Sequence, residues 1–195
     1  MLALAIALLF AVPVKLELQP GSRLWIDGDS NVRTWSCEAR ALETSARART
    51  AEGRAAPSVE AAHVAIAVKE LRCGDDHMDE KLRDALHVNQ YPLIEYALTS
   101  AERLPGRSAG EYRLKVTGLL AIAGRARNVT MVVLARLEPT GLLRAMGSVP
   151  LEMSAFGVEA PTAFLGFLRS KDRIVVRFDL VARAVPMAPR LSSSL

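Results

Sequence analysis

The residues best able to do chemistry lie together between residues 73 and 80. His77 stands there among Asp75, Asp76 and Asp79, a composition typical of metal ligands. A zinc site, however, needs three or four ligands that converge on one point. Acidic residues directly before an apolar helical pattern instead cap the helix and favour its first turn. We therefore expect a helix cap beside a solvated loop, and we assign no metal ligands.

Catalytic motifs are the next candidates, because the chain contains serine, histidine and many acids. It contains no Gly-x-Ser-x-Gly elbow, phosphate-binding loop, dinucleotide fingerprint or His-Glu-x-x-His motif. His63 within a predicted strand and His87 at a predicted helix end favour structural roles. We therefore predict no catalytic residue, no enzymatic activity and no cofactor.

Alternating hydrophobicity defines the elements that would position any site. Residues 112–117 alternate apolar and polar side chains, which is typical of a strand with one buried face. A link containing Gly124 follows, and a second β-branched run covers residues 128–136. The pattern predicts an antiparallel hairpin, 112–136, with a short loop at residues 123–127.

Further strands are predicted from the same signal. A turn at Gly28–Ser30 should separate the first two. Residues 39–49 could continue as extended chain, but the Ala- and Arg-rich segment 44–57 would equally suit a loop or a frayed helix. The strands expected besides the hairpin are Leu24–Asp27, Asn31–Ala39, Val59–Leu71, Leu93–Ser100, Leu142–Leu151 and Ile174–Arg183.

Two short helices interrupt the strands. Apolar residues recur with helical spacing over Met78–Leu86, with Asp75 or Asp76 placed to cap the first turn. Pro161–Leu168 suggests one or two further helical turns. Short antiparallel strands at this spacing predict an all-β fold, a closed antiparallel barrel of about eight strands.

The predicted interior is unusually poor in large side chains. Half of the residues are hydrophobic but only 5% are aromatic, and small inward residues leave space in a barrel. A solidly packed barrel, in which the alanines merely reflect composition, stays open as the alternative. The small residues expected on strands are Ala65, Ala67, Gly118, Ala121, Ala123, Ala135, Ala145 and Gly147.

Charge argues against nucleic acid as a partner. The formal net charge is +4 and the isoelectric point is near 9.4. The arginines that cause this are spread along the chain, without a dense basic patch interleaved with aromatic residues. We therefore expect a solvated basic surface and no nucleic-acid site.

The N-terminus suggests export. Residues 1–14 are apolar and uncharged, a length that suits a signal-peptide core better than a membrane span of about 20 residues. We assign residues 1–20 to a signal peptide or an N-terminal apolar anchor and residues 186–195 to a disordered tail. The mature chain is expected to be periplasmic or secreted, with no stable membrane span.

Cys37 and Cys73 are the two cysteines. In an oxidising compartment such a pair can form one structural disulfide. Two separate buried thiols, acting as small hydrophobes, are the alternative.

Several short motifs, taken in order, resemble the YceI-like family. They are Trp25-Ile-Asp27 with Ser30, Met78-Asp-x-x-Leu82 leading to Asn89-x-Tyr-Pro92, the segment 117–124, Met146-Gly147, Phe156-Gly157 and the segment 172–179. The resemblance implies a lipocalin-like barrel domain at residues 21–185, export and an apolar ligand such as a polyisoprenoid. Segments 44–57 and 73–80 depart from the family pattern, so ligand identity is not carried over.

These observations predict an exported protein that holds a long apolar molecule, of polyisoprenoid, isoprenoid quinone or fatty-acyl type, inside the barrel. A packed barrel that acts as an interaction or stress-accessory module at the membrane surface is the alternative, and a homodimer is compatible with either. Segment 164–168 is expected to gate the mouth of the barrel. The predicted ligand-binding residues are Trp35, Val64, Ile66, Val68, Leu114, Val116, Leu120, Ile122, Phe164, Phe167, Val176 and Phe178.

Overall fold

The computed structural model describes residues 12–50, 58–105, 110–160, 162–163 and 168–187, which fold mainly as strands. One α-helix, α1 (Asp76–Ala85), and two 3₁₀ turns, Val68–Glu70 and Met153–Phe156, accompany them. The strands are β1 (Val12–Leu18), β2 (Arg23–Ser30), β3 (Thr34–Ala39), β4 (Glu43–Thr50), β5 (Ser58–Ala67), β6 (Leu71–Arg72), β7 (Leu93–Leu104), β8 (Glu111–Ile122), β9 (Arg125–Leu137), β10 (Leu143–Glu152), β11 (Thr162–Ala163) and β12 (Leu168–Pro186).

Eight of these strands form a closed antiparallel barrel. Hydrogen-bonded neighbours follow the order β1-β4-β5-β7-β8-β9-β10-β12, and β12 pairs back with β1. The closing ladder runs from the Val14–Pro186 pair to the Leu18–Ala182 pair. The predicted all-β fold, an antiparallel barrel of about eight strands, is therefore confirmed.

Strand β12 is long enough to serve two neighbours on the same edge. Its last residues pair with β1, whereas residues 170–179 pair with β2, which in turn pairs with β3 and then β6. These three strands form an extension of the sheet. A disulfide between Cys37 on β3 and Cys73 links this extension to the segment that leads into α1, with 3.9 Å between the two Cα atoms. The predicted disulfide is confirmed.

An acidic residue caps the start of helix α1. The Asp75 carboxylate accepts a hydrogen bond from the Met78 backbone N–H at 2.9 Å, which satisfies one of the unpaired N–H groups of the first turn. Asp79 is buried, and its carboxylate accepts a hydrogen bond from the Cys73 N–H at 2.6 Å. Asp75 is therefore the predicted cap, and Asp79 ties the helix to the disulfide.

The β8–β9 hairpin closes more tightly than predicted. Ala123 and Gly124 have φ values of 47° and 75°, and β9 begins at once at Arg125. Two residues with positive φ make the turn whose twist matches the flanking strands. The link of residues 123–127 expected from sequence was therefore too long.

One other local prediction was wrong, and the alternatives left open for residues 39–57 are decided in favour of extended chain up to Thr50. Gly28–Ser30 stays within β2, and the turn lies one step later, where the Ser30 hydroxyl donates to the Arg33 carbonyl at 2.8 Å. In segment 44–57, residues up to Thr50 form β4 rather than a loop or a helix. The inward positions of β4 carry Ala46 and Ala48, so this strand lacks the large apolar residues that usually indicate a strand. Residues 51–57 lie outside the described part of the chain.

The second predicted helix is not found where the chain is described. Thr162–Ala163 pair with Leu168 and Arg169 as a small antiparallel ladder, which extended backbone allows and a helix does not. Residues 161 and 164–167, which include the proposed gate, lie outside the described residues.

The domain boundaries also shift. Val12–Leu18 form barrel strand β1, so the barrel includes residues predicted to belong to the leader, and Pro186 still belongs to β12. Residues 1–11 and 188–195 lie outside the described chain, and the leader and the tail stay predictions. Among the described residues, no helix is long and apolar enough to cross a membrane.

Candidate ligand-binding site

The barrel encloses an apolar cavity of about 310 Å³. Alternate residues of each strand face it, because successive side chains of a strand point to opposite sides. On β8 the inward set includes Leu114, Val116, Leu120 and Ile122, all of which line the cavity. Many lining residues remain partly exposed within the barrel, since they face this space rather than other side chains.

Most of the predicted ligand-binding residues lie on this wall. Val68 does not, because β5 ends at Ala67 and Val68 begins a 3₁₀ turn, where its side chain is only 1% exposed in the core. Phe164 and Phe167 lie outside the described residues. The predicted residues that line the cavity are Trp35, Val64, Ile66, Leu114, Val116, Leu120, Ile122, Val176 and Phe178.

Several lining residues were missed by sequence reasoning. Ile94 and Tyr96 alternate along β7, so the strand period could have found them. Leu82 and Leu86 lie on the apolar face of α1, whose spacing was recognised but not connected with the cavity. Met131 could have been found because β9 alternates as well.

Small residues shape the cavity in two different ways. Ala135 and Ala145 line the cavity directly, as expected. Further alanines that were not predicted line it as well. The other expected alanines, Ala65, Ala67, Ala121 and Ala123, are not on the wall. The additional lining alanines are Ala46, Ala62, Ala101 and Ala182.

Three glycines leave space for the aromatic rings of residues on neighbouring strands. A Cβ on Gly28 would lie 2.1 Å from the Trp35 ring, and a Cβ on Gly147 would lie 2.4 Å from the Phe178 ring. Gly118 has the same relation to Tyr96. The absence of a side chain therefore lets each ring lie against the wall, where it lines the cavity without filling it. Gly147 keeps regular pairing with Phe178.

Different groups lie at the two ends of the cavity. At one end, called the helix end, Leu82 and Leu86 of α1 pack with Met153 and Phe156 of the second 3₁₀ turn. At the other, called the Tyr112 end, the buried Tyr112 side chain is surrounded by a smaller cluster. That cluster contains Val14, Leu16, Ala48, Ala135, Leu143 and Ala182.

Polar groups are scarce on the wall but present. Among the described residues, the buried Trp35 Nε1 and Tyr96 Oη atoms have no hydrogen-bond partner. Burial raises the pKa of the Tyr96 phenol, so its neutral form is retained to higher pH than in a free tyrosine. The interior is therefore uncharged at Tyr96 and can accept apolar material with little competition from water.

Two ion pairs between neighbouring strands brace the wall from the outside. Arg144 on β10 donates to both carboxylate oxygens of Asp179 on β12, at 2.7 and 2.5 Å. That hydrogen bonding, together with the charge of Arg144, lowers the pKa of Asp179. Arg23 and Glu38 make a similar pair between β2 and β3 at 2.7 Å.

Comparisons with known proteins agree with this architecture. The family model described as "YceI-like domain" matches residues 28–182. Among curated proteins, none matches the chain.

Solved structures share the fold at low sequence identity. BcnA of Burkholderia cenocepacia superimposes with a TM-score of 0.65 at 20% identity, covering 85% of this chain and 99% of that one. A polyisoprenoid-binding domain from Saccharophagus degradans, implicated in plant cell wall breakdown, gives 0.64 at 12% identity, covering 90% and 100%. A Campylobacter jejuni YCEI protein gives 0.57 at 14%, covering 78% and 85%.

The family match spans most of the barrel, from the middle of β2 to the closing ladder of β12, and the fold comparisons agree with it. The chain therefore belongs to the YceI-like domain family.

Proposed function

We propose that this protein is an exported, non-enzymatic binding protein that holds a long apolar molecule inside its barrel. The observation that carries the proposal is the cavity, whose described lining is almost entirely apolar and extends from the Tyr112 end to the helix end. A polyisoprenoid, an isoprenoid quinone or a fatty-acyl chain fits this chemistry. The printed description of the Saccharophagus relative supports the first of these classes.

Burial of hydrocarbon supplies the affinity in this proposal. Each buried CH₂ group contributes about 0.8 kcal/mol, so a dozen contribute roughly 10 kcal/mol before costs. Association entropy offsets several kcal/mol of that sum. A preformed cavity lowers the remaining cost, because the wall already has its bound shape.

Export to the periplasm or the outside of the cell is part of the same proposal. The Cys37–Cys73 disulfide supports it, because structural disulfides persist in oxidising compartments. The apolar N-terminal sequence supports it as well. Fractionation of the host cells, with the thiol state of the two cysteines measured in each fraction, tests this part.

The packed-barrel alternative, an interaction or stress-accessory module, loses its main support. A solid interior was its premise, whereas the described residues enclose a cavity. Nothing in the structure favours that function over ligand binding, and the homodimer stays a prediction.

The direct test is extraction. The protein is purified from its own host without detergent, and an organic extract is compared by mass spectrometry with an extract of a cavity-filled variant prepared in parallel. We expect an isoprenoid or acyl lipid in the wild-type extract alone. A clean extract, combined with no binding of added isoprenoid quinone or fatty acid, contradicts the proposed function.

A further inference from the structure

A β-bulge on β7 changes which residues face the interior. Before it, Ile94, Tyr96 and Leu98 point inward and line the cavity. The register with β8 then shifts, because Leu98 pairs with Gly118 but Ser100 pairs with Thr117, which leaves Thr99 as the extra residue. Beyond the bulge, the odd-numbered residues of β7 therefore take the inward positions.

The bulge determines whether Glu102 or Arg103 lies on the inner side of the barrel at the Tyr112 end. Without it, the even-numbered series would continue to Glu102. With it, Ala101 pairs with Val116 and Arg103 pairs with Leu114, and both of these partners line the cavity. Directly paired residues share a face, so Arg103 is on the inner side and Glu102 on the outer.

The Arg103 side chain is held in place by an aromatic ring. Its guanidinium carbon lies 4.6 Å from the centroid of the Tyr112 ring, and Tyr112 is only 7% exposed. Tyr112 pairs with Ala135, which lines the cavity. A cation–π contact at an exposed site leaves the N–H groups of arginine available to another partner.

No carboxylate neutralises this arginine within the described residues. Glu111, beside Tyr112 in sequence, pairs instead with Arg136 at 2.9 Å. Arg103 itself is exposed to solvent and makes no ion pair with any acid that the structure describes. Arg103 is therefore a cation with no ion-pair partner among the described residues. It lies against the Tyr112 ring at the end of the apolar cavity.

We propose that Arg103 binds the anionic head group, a carboxylate or a phosphate, of a ligand whose hydrocarbon chain occupies the cavity. The planar guanidinium matches either anion with two parallel N–H···O bonds. The ligand then lies with its head at the Tyr112 end and its tail toward Leu82 and Leu86 at the helix end. This inference rests on the proposed function and adds the head-group class and the orientation.

The test separates the head group from the tail. Binding of palmitate and of methyl palmitate, which differ in head-group charge, is measured by calorimetry for the wild type, R103Q and R113Q. Arg113 is the matched control, because it is exposed on the adjacent strand β8 but points outward. Hexadecyl phosphate and hexadecanol form the second pair and show whether phosphate is preferred over carboxylate.

We expect the wild type and R113Q to bind palmitate about 10- to 100-fold more tightly than the ester, as a charge-assisted hydrogen bond allows. R103Q should lose this preference while its affinity for the ester stays unchanged, and R103K should restore part of it. Thermal unfolding of each variant verifies that the fold persists.

Three results overturn the inference. Equal wild-type affinity for the charged and neutral members of both pairs contradicts it, although the proposed function stands. So does an R103Q variant that keeps the preference. If the wild type binds neither member of either pair, the inference fails and the fatty-acyl class leaves the proposed function, which the extraction and the quinone titration then test separately.

Discussion

The phenol ring of Tyr96 lies directly over Gly118 of the neighbouring strand, so that a Cβ at position 118 would come within 2.4 Å of the ring. The two positions are diagonal rather than opposite, because Tyr96 pairs with Leu120 and Leu98 pairs with Gly118. The glycine therefore provides space for a large residue that would otherwise project into the cavity. This arrangement leaves the Tyr96 hydroxyl buried and without a partner among the described residues.

Replacing Tyr96 with Phe should stabilise the ligand-free protein. A buried hydroxyl without a hydrogen bond carries a desolvation cost of about 1–3 kcal/mol, and the substitution removes it while keeping the ring. We expect the free energy of unfolding in urea to rise by about 1 kcal/mol. Tyr112→Phe is the control, since the Tyr112 hydroxyl is not among the buried polar atoms without a partner, and it should give no gain. A loss of stability in Tyr96→Phe would mean that its hydroxyl is satisfied.

Filling the cavity should abolish binding without unfolding the barrel. Ala145 points inward on β10 and lines the cavity, whereas the next residue, Met146, points outward opposite Asp179. Ala145→Phe is expected to lower the affinity for a long acyl or isoprenoid probe at least about 10-fold, because its ring occupies space that the ligand needs. Met146→Phe should bind like the wild type. Equal affinities in a fluorescence titration would place the ligand elsewhere.

Truncation should distinguish the apolar leader from the barrel strand that follows it. Deleting residues 1–11 leaves both ladders of β1 intact, so folding and binding are expected to persist. Deleting residues 1–20 removes β1 and exposes the edges of β4 and β12, which promotes aggregation. Size-exclusion chromatography and hydrogen exchange compare the two forms. A monomeric, protected protein without residues 1–20 would show that β1 is dispensable.

Lowering the pH should destabilise the folded protein, because it protonates Asp179 on the outer face of the barrel. Arg144 holds the pKa of this carboxyl below its ordinary value, first by hydrogen bonding and then by charge. A folded-state pKa below the unfolded value of about 3.9 gives stability at higher pH. That stability is lost as the pH falls through the folded-state pKa. Asp179→Asn should therefore be less stable than the wild type at pH 7, and the difference should shrink below about pH 4 in urea titrations. A difference that is constant with pH would contradict this.

Strand alternation made most of the barrel predictable. Strands β8 and β12 carry large apolar residues at alternate positions over most of their inner faces, so the sequence indicates both the strand and its inner face. Strand β4 was expected only as one of two alternatives, because its inward residues Ala46 and Ala48 differ little in hydrophobicity from a loop. Strand β1 falls within the segment predicted as a leader, because its role depends on partners at residues 182–186. Periodicity alone cannot reveal such distant pairing.

The inner face of β7 could be predicted only in part for a related reason. Ile94, Tyr96 and Leu98 follow the strand period, but the bulge at Thr99 reverses the series, and nothing in the local sequence marks it. The exchange of Glu102 for Arg103 on the inner side is thus a property of the register. The disulfide, in contrast, could be anticipated from the cysteine count and the export argument together.

The closing ladder between β1 and β12 joins the two ends of the described chain, from Val14 paired with Pro186 to Leu18 paired with Ala182. Contacts between residues so distant in sequence form slowly, because a long loop must close before they contribute stability. The barrel cannot be sealed during synthesis until its last strand has been made. We therefore expect slow, post-translational folding, which agrees with the proposed export because a translocation machinery engages an unfolded chain.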